Sequence, residues 1–202
     1  MTKKVLVLLF VICCLGVTAF SQTAQQPKPT PTPTAKPKPK TEHFSMVASL
    51  PRSARATAWA DVRVSRYTSN ATTQRMAALL VEGGQDALVK ALEKMKPIGH
   101  ASLSARIGFF DLKLIRSRKT PTGRRIIGVS DRPISFLEAY GGSRSMDYKL
   151  GIVVLDLKIN KKGKEVGQGF LLYASQVKIK NGKLEIEYVG MDPIKLRNVS
   201  KY

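Results

Sequence analysis

Between residues 56 and 67 (ATAWADVRVSRY) apolar and polar side chains alternate. Ala58, Ala60, Val62 and Val64 fall on one side, and Trp59, Asp61, Arg63 and Ser65 on the other. A period of two is that of a half-buried strand. The period then lengthens. Met76, Leu79 and Leu80 predict a helix from Ala71 to about Glu82, capped by Ser69 or Asn70 and stopped by Gly83-Gly84. Leu88, Val89, Leu92 and Met95 predict a second helix, Gln85 to Lys96. Asp86 in its first turn and Lys94 and Lys96 in its last suit the helix dipole, and Pro97 ends it.

From Leu103 the period returns to two. Leu103, Ala105, Ile107 and Phe109 share a face, while Phe110, Leu112 and Leu114 are one residue out of phase, as a bulge near Gly108 would make them. Thr120-Pro121-Thr122-Gly123 reads as a type I turn leading into a partner strand, Arg125 to Ser130. Tyr148 to Ile159 is apolar on both faces and predicts a central strand. Gly167 to Ile179 and Lys183 to Val189 flank Asn181-Gly182, the strongest hairpin signal in the chain. Ile194 to Val199 reads as a short edge strand. The fold class this order predicts is α+β, with an N-terminal strand and two helices packed on an antiparallel meander of about five to six strands. A partly closed β-barrel is the alternative.

The N-terminus reads as an export signal. Lys3 and Lys4 precede an unbroken apolar run, Val5 to Val17, and Ala19-Phe20-Ser21 offers a cleavage site after Ser21. The run falls short of the roughly 20 residues that cross a bilayer. The expected address is therefore periplasmic or extracellular, with tethering to the inner membrane through an uncleaved N-terminus as the alternative. Cys13 and Cys14 leave with the signal, so the mature chain holds no thiol, disulfide or Cys-bound metal. Residues 22–43 contain PKPTPTPTAKPKPK, a linker that favours extended polyproline II. Residues 44–202 form the single globular domain.

Charge sharpens the picture. The chain carries +20, and removing the two lysines of the leader and the four lysines and one glutamate of the linker leaves +15 on the domain. Such a field attracts polyanions. The expected partners are an anionic envelope polymer, a lipid headgroup at a membrane surface, or a protein. Export and the lack of a recognition-helix or RNP-like signature argue against nucleic acid.

No Walker A, G-x-S-x-G, H-E-x-x-H or Rossmann motif is present, so no catalytic residue, metal ligand or cofactor is assigned. His43 falls in the linker and His100 in a turn. Ser175-Gln176-Val177-Lys178 matches S-x-x-K, but in a strand these two side chains face opposite ways. The long connection Ser130 to Asp147 (SDRPISFLEAYGGSRSMD) gathers Arg132, Glu138, Tyr140, Arg144, Asp147 and, just beyond it, Tyr148. There an arginine could hold an anion and Glu138 or Asp147 polarise a ligand. The alternative is that acids and arginines simply pin the loop.

The run Glu82-Gly83-Gly84-Gln85-Asp86-Ala87-Leu88-Val89-Lys90-Ala91-Leu92, Asp131-Arg132-Pro133-Ile134 and the final sheet pattern resemble those of uncharacterised secreted bacterial proteins, over most of residues 50–200. The resemblance implies an envelope origin and transfers no site. Three functions follow as expectations. The leading one is a non-enzymatic, exported, basic domain that binds an anionic or amphiphilic ligand or a protein. The rivals are an enzyme whose carboxylates Asp131, Glu138 and Asp147 converge with an arginine, and a scaffold dimerising through a sheet edge.

Overall fold

Among the described residues the alternation of side chains builds ten strands, and a longer period one helix. They are β1 (Glu42–Ser49), β2 (Thr57–Val64), α1 (Asn70–Glu93), β3 (Gly99–Leu103), β4 (Phe109–Leu112), β5 (Leu114–Thr120), β6 (Gly123–Val129), β7 (Leu150–Ile159), β8 (Glu165–Lys180), β9 (Lys183–Tyr188) and β10 (Ile194–Lys201). The structure is a computed structural model, and it describes residues 41–49, 57–103, 109–134, 147–181, 183–188 and 193–202. All of these lie in the unit Lys38–Tyr202. The leader, the body of the linker and the far part of the 130–147 connection lie outside the described residues.

The strands form one antiparallel sheet in the order β4-β3-β2-β1-β10-β8-β7-β6-β5, and off this path β9 pairs with β8. Its two ends, β4 and β5, are separated in the chain by Lys113 only. One bent segment therefore pairs with β3 on one side and β6 on the other, and the sheet comes close to a closed barrel. Thr68 stitches the seam: its amide donates to the Ile115 carbonyl at 2.8 Å, and its Oγ1 accepts from the Ile115 amide at 2.9 Å. At the corner the Lys113 ammonium donates to the Met95 carbonyl just beyond α1, at 3.0 Å, and lies 3.5 Å from the Asp131 carboxylate.

This architecture overturns the α+β reading of two helices on a five- to six-stranded meander. Among the described residues, helical structure is a single kinked element. Ser69 caps it, accepting from the Thr72 amide at 3.2 Å. Gly83-Gly84 bends it instead of ending it, because only Gly84 leaves helical geometry (φ 67°, ψ −166°), a conformation open to glycine at little cost. The sheet is larger because β1 begins at Glu42, ahead of the strand expected to come first. Ile194 to Val199, read as an edge strand, belong to β10, which lies between β1 and β8. The partly closed barrel is nearer to what is observed.

Two apolar clusters hold the fold. The barrel interior is filled by side chains such as Phe44, Met46, Leu103, Ile115, Ile126, Leu155, Ile194 and Leu196. A small cavity of about 20 Å³ lies among Met46, Val62, Phe110 and their neighbours, room for about one water. On the outer face α1 lays Met76, Leu80, Leu88, Val89 and Leu92 over Leu150, Ile152, Val154, Leu172 and Val177. β7 is thus covered on both sides, Val153 and Leu155 inside and Ile152 and Val154 beneath the helix. This is why its sequence shows no alternation. Gln85, just past the kink, fastens the helix to the sheet: its Oε1 accepts from the Val177 amide at 2.8 Å, and its Nε2 donates to the Asp147 carbonyl at 2.6 Å.

Candidate binding surface and barrel-end cluster

The residues singled out in the 130–148 segment are only partly in view. Glu138, Tyr140 and Arg144 lie outside the described residues. Arg132 is exposed, Tyr148 packs partly against the barrel core, and Asp147 is held by the Gln85 contact through its carbonyl. Asp131 faces Lys113. His100, read as a turn residue, is instead in β3, where its Nδ1 lies 3.0 Å from the Asp111 carboxylate across the β3–β4 pair. Ser175 and Lys178 are indeed in a strand: Ser175 is fully buried, with no partner for its hydroxyl among the described residues, while Lys178 pairs with Glu187 at 2.8 Å. Among the described residues no three His, Cys, Asp or Glu side chains gather as a metal site. No described helix is long and apolar enough to cross a membrane.

One end of the barrel carries the densest polar chemistry. Arg124 on β6 points inward, opposite Leu157, and its guanidinium grips Glu165 of β8 through two bonds of 2.6 Å. It also donates to the Tyr67 hydroxyl at 2.9 Å and lies 3.1 Å from Glu42 of β1. The Lys201 ammonium of β10 reaches Glu42 at 2.8 Å and Glu165 at 3.2 Å, and the Tyr67 hydroxyl donates to Glu42. Beneath them the Phe44 ring faces the guanidinium at 5.9 Å.

Gly167, inward between Leu157 and Val199, leaves the backbones closely packed. A Cβ there would sit 1.9 Å from the Asp156 carbonyl oxygen.

The charges balance, two cations against two carboxylates. Burial opposes the charged form of Glu42, but hydrogen bonds from Lys201 and Tyr67 and the Arg124 charge outweigh it and lower its pKa. The Arg124 bonds hold Glu165 below the ordinary carboxylate range against burial. Burial, then the bond to Glu42, pushes Tyr67 well up, so its hydroxyl stays protonated. Every group is satisfied by another, and none is left as a base or nucleophile. This is a lock joining four strands and the segment after β2. Sequence reading missed it because Glu42 fell in the linker and Arg124 lay just ahead of the strand expected to begin at Arg125. The one usable signal was parity: in a strand, Arg124 and Arg125 must face opposite sides.

The outer face offers the second candidate. Two adjoining open clefts, of about 770 and 890 Å³, share Asp156 and Gln168 and form a trough. Cross-strand register lays it out. Arg125, Asp156 and Gln168 form one row across β6, β7 and β8, and Val154, Phe170 and Lys195 another across β7, β8 and β10. At one end Arg125 and Lys158 stand among Thr120, Thr122, Asn198 and Ser200. At the other, Phe170, Ile186, Tyr188 and Pro193 form an apolar wall beside Lys195 and Arg197. A bulge after Leu196, with Asn198 at φ 53°, shifts the register of β10 against β8 here. Arg125 is engaged by Asp156 through bonds of 2.6 and 3.0 Å. Lys158, Lys195 and Arg197 have no acidic partner among the described residues. Four cations therefore face one carboxylate, with an apolar wall alongside.

Compared with protein-family models, with curated proteins and with solved structures, the chain matches none. The resemblance noted above thus adds no family, and the functional argument rests on the surface itself.

Proposed function

We propose that the protein is an exported, non-enzymatic domain that binds an anionic amphiphile in the outer trough. One observation carries this reading: Lys195 and Arg197, without acidic partners among the described residues, border a wall of Phe170, Ile186, Tyr188 and Pro193, and a third such cation, Lys158, stands at the other end of the trough. A ligand with an anionic head and an apolar tail meets both halves of such a surface, the head by charge and the tail by removal of apolar area from water. The filled barrel interior supports an external site. The self-satisfied cluster at the barrel end supports a structural role for its acids and bases.

The test is titration of the purified protein with dodecyl phosphate, dodecyl maltoside and inorganic phosphate, followed by NMR shifts or calorimetry. Dodecyl phosphate should bind with a salt-dependent affinity and the other two more weakly. The double variant Lys195→Glu/Arg197→Glu should bind at least about tenfold more weakly, since like charges then face the head. Equal affinity for the phosphate and maltoside amphiphiles, or insensitivity to salt and to the double variant, would overturn the reading.

A further inference from the structure

Beyond the trough, β8 keeps going. Its first half pairs with β7 and β10, but from Gln176 to Lys180 its ladder partner is β9. The two strands extend as an amphipathic hairpin. On the side continuous with Phe170 it shows Ile179, Leu184, Ile186 and Tyr188, of which Leu184 is 57% exposed. On the reverse side Lys178 pairs with Glu187, and Lys180 lies 4.0 Å from Glu185. At the tip Lys180 and Lys183 face each other across the ladder next to the turn, and Lys183 has no acidic partner among the described residues.

We infer that this hairpin tip docks the protein on an anionic phospholipid bilayer; the inference rests on the trough reading and extends it from a single amphiphile to a membrane surface. Apolar side chains flanked by lysines are what an interfacial element needs. Ile179 and Leu184 reach the boundary between headgroups and acyl chains, Tyr188 sits at headgroup level, and Lys180, Lys183, Lys195 and Arg197 meet phosphates. Insertion is shallow, because the backbone edge of β9 carries polar groups that hydrocarbon cannot satisfy.

Charge selects this occupant over a second copy of the chain. The domain carries an excess of fifteen cations, so two copies repel. Antiparallel self-pairing of β9 centred on Glu185 or Ile186 would also set Glu185 against Glu185 or Glu187 of the other copy. An anionic surface meets neither obstacle.

The experiment is co-sedimentation with vesicles of phosphatidylcholine alone and of phosphatidylcholine mixed with phosphatidylglycerol. It uses wild type, Ile179→Ser/Leu184→Ser and Lys180→Glu/Lys183→Glu, with thermal midpoints confirming folding. Mixed vesicles should sediment the wild type and neutral ones should not. Each double variant should lose at least about tenfold in partitioning, through two half-buried aliphatic side chains in the first and through two reversed charges at the anionic surface in the second. Both should still bind dodecyl phosphate, because none of the four residues lines the trough. If the tip variants bind mixed vesicles like wild type, the docking inference fails while the trough reading stands. If dodecyl phosphate binding is absent but vesicle binding is tip-dependent, the trough reading fails alone. A concentration-dependent dimer in sedimentation velocity, abolished by Leu184→Ser, would assign the surface to a second copy and overturn the inference.

Discussion

Arg124→Met is the most informative single change in this molecule. It removes the cation that spans Glu42 and Glu165 and leaves Lys201 alone to neutralise both. The three side chains at the centre keep 19%, 17% and 20% of their surface in contact with water. Removing one partner of a fully buried pair costs about 3–5 kcal/mol, and residual solvent screening lowers this to about 2–4 kcal/mol here. In a domain of this size that lowers the thermal midpoint by about 5–15 °C.

The internal control is the next residue. Arg125 makes an equally good bidentate bond, to Asp156, but the partners are 49% and 37% exposed, so Arg125→Met should cost about 0–1 kcal/mol. Urea denaturation at neutral pH reads both, and a shift in midpoint at constant slope marks a change in stability. Combining Arg124→Met with Glu165→Gln should cost less than the sum of the single losses, because each removes the other's partner. Equal losses for Arg124→Met and Arg125→Met, or a loss under about 1 kcal/mol for Arg124→Met, would refute the claim that the cluster locks the barrel.

Two further outcomes follow from the same geometry. Glu42 and Glu165 have lowered folded-state pKa values, so the unfolded chain takes up their protons first; their stabilisation is complete above about pH 5 and is lost as pH falls through the folded values. Acid titration of wild type against Glu42→Gln/Glu165→Gln should show a shallower loss in the variant, and parallel curves would contradict it. Ser175 buries a hydroxyl that finds no partner among the described residues, so Ser175→Ala should leave stability unchanged or raise it by up to about 1 kcal/mol; a loss above that in chemical denaturation would show that the hydroxyl is bonded.

The binding proposal and the lock draw on the same strands through opposite faces. Along β6 the side chain of Arg124 goes in and that of Arg125 goes out. Along β10 Leu196 goes in while Lys195 and Arg197 go out. The inner set closes the barrel end with balanced charge. The outer set leaves cations without acidic partners among the described residues, beside apolar side chains. A basic composition alone cannot distinguish these roles, since both use arginine, lysine and their neighbours in sequence.

What could be read along the chain was whatever near neighbours decide. Alternation located β2, and turn signals located β6, β8 and β9, to within a few residues. Ser69 marked the helix start, and the uninterrupted apolar run of β7 marked a strand covered on both faces. Each depends on contacts or torsions within a few residues. The barrel does not. Its closure needs β1 to meet β10, and its lock joins Glu42 to Lys201 across 159 positions. Nothing within either segment declares that partner, so β1 went unassigned, its first two residues counted as linker, and β10 looked like an edge. The trough is likewise assembled from strands β6 to β10, and its mixture of apolar wall and unpaired cation exists only once the register has set Phe170 beside Lys195. Tertiary structure decided the features on which the binding proposal rests because burial and charge pairing are properties of what faces a side chain, and that is set by sheet closure.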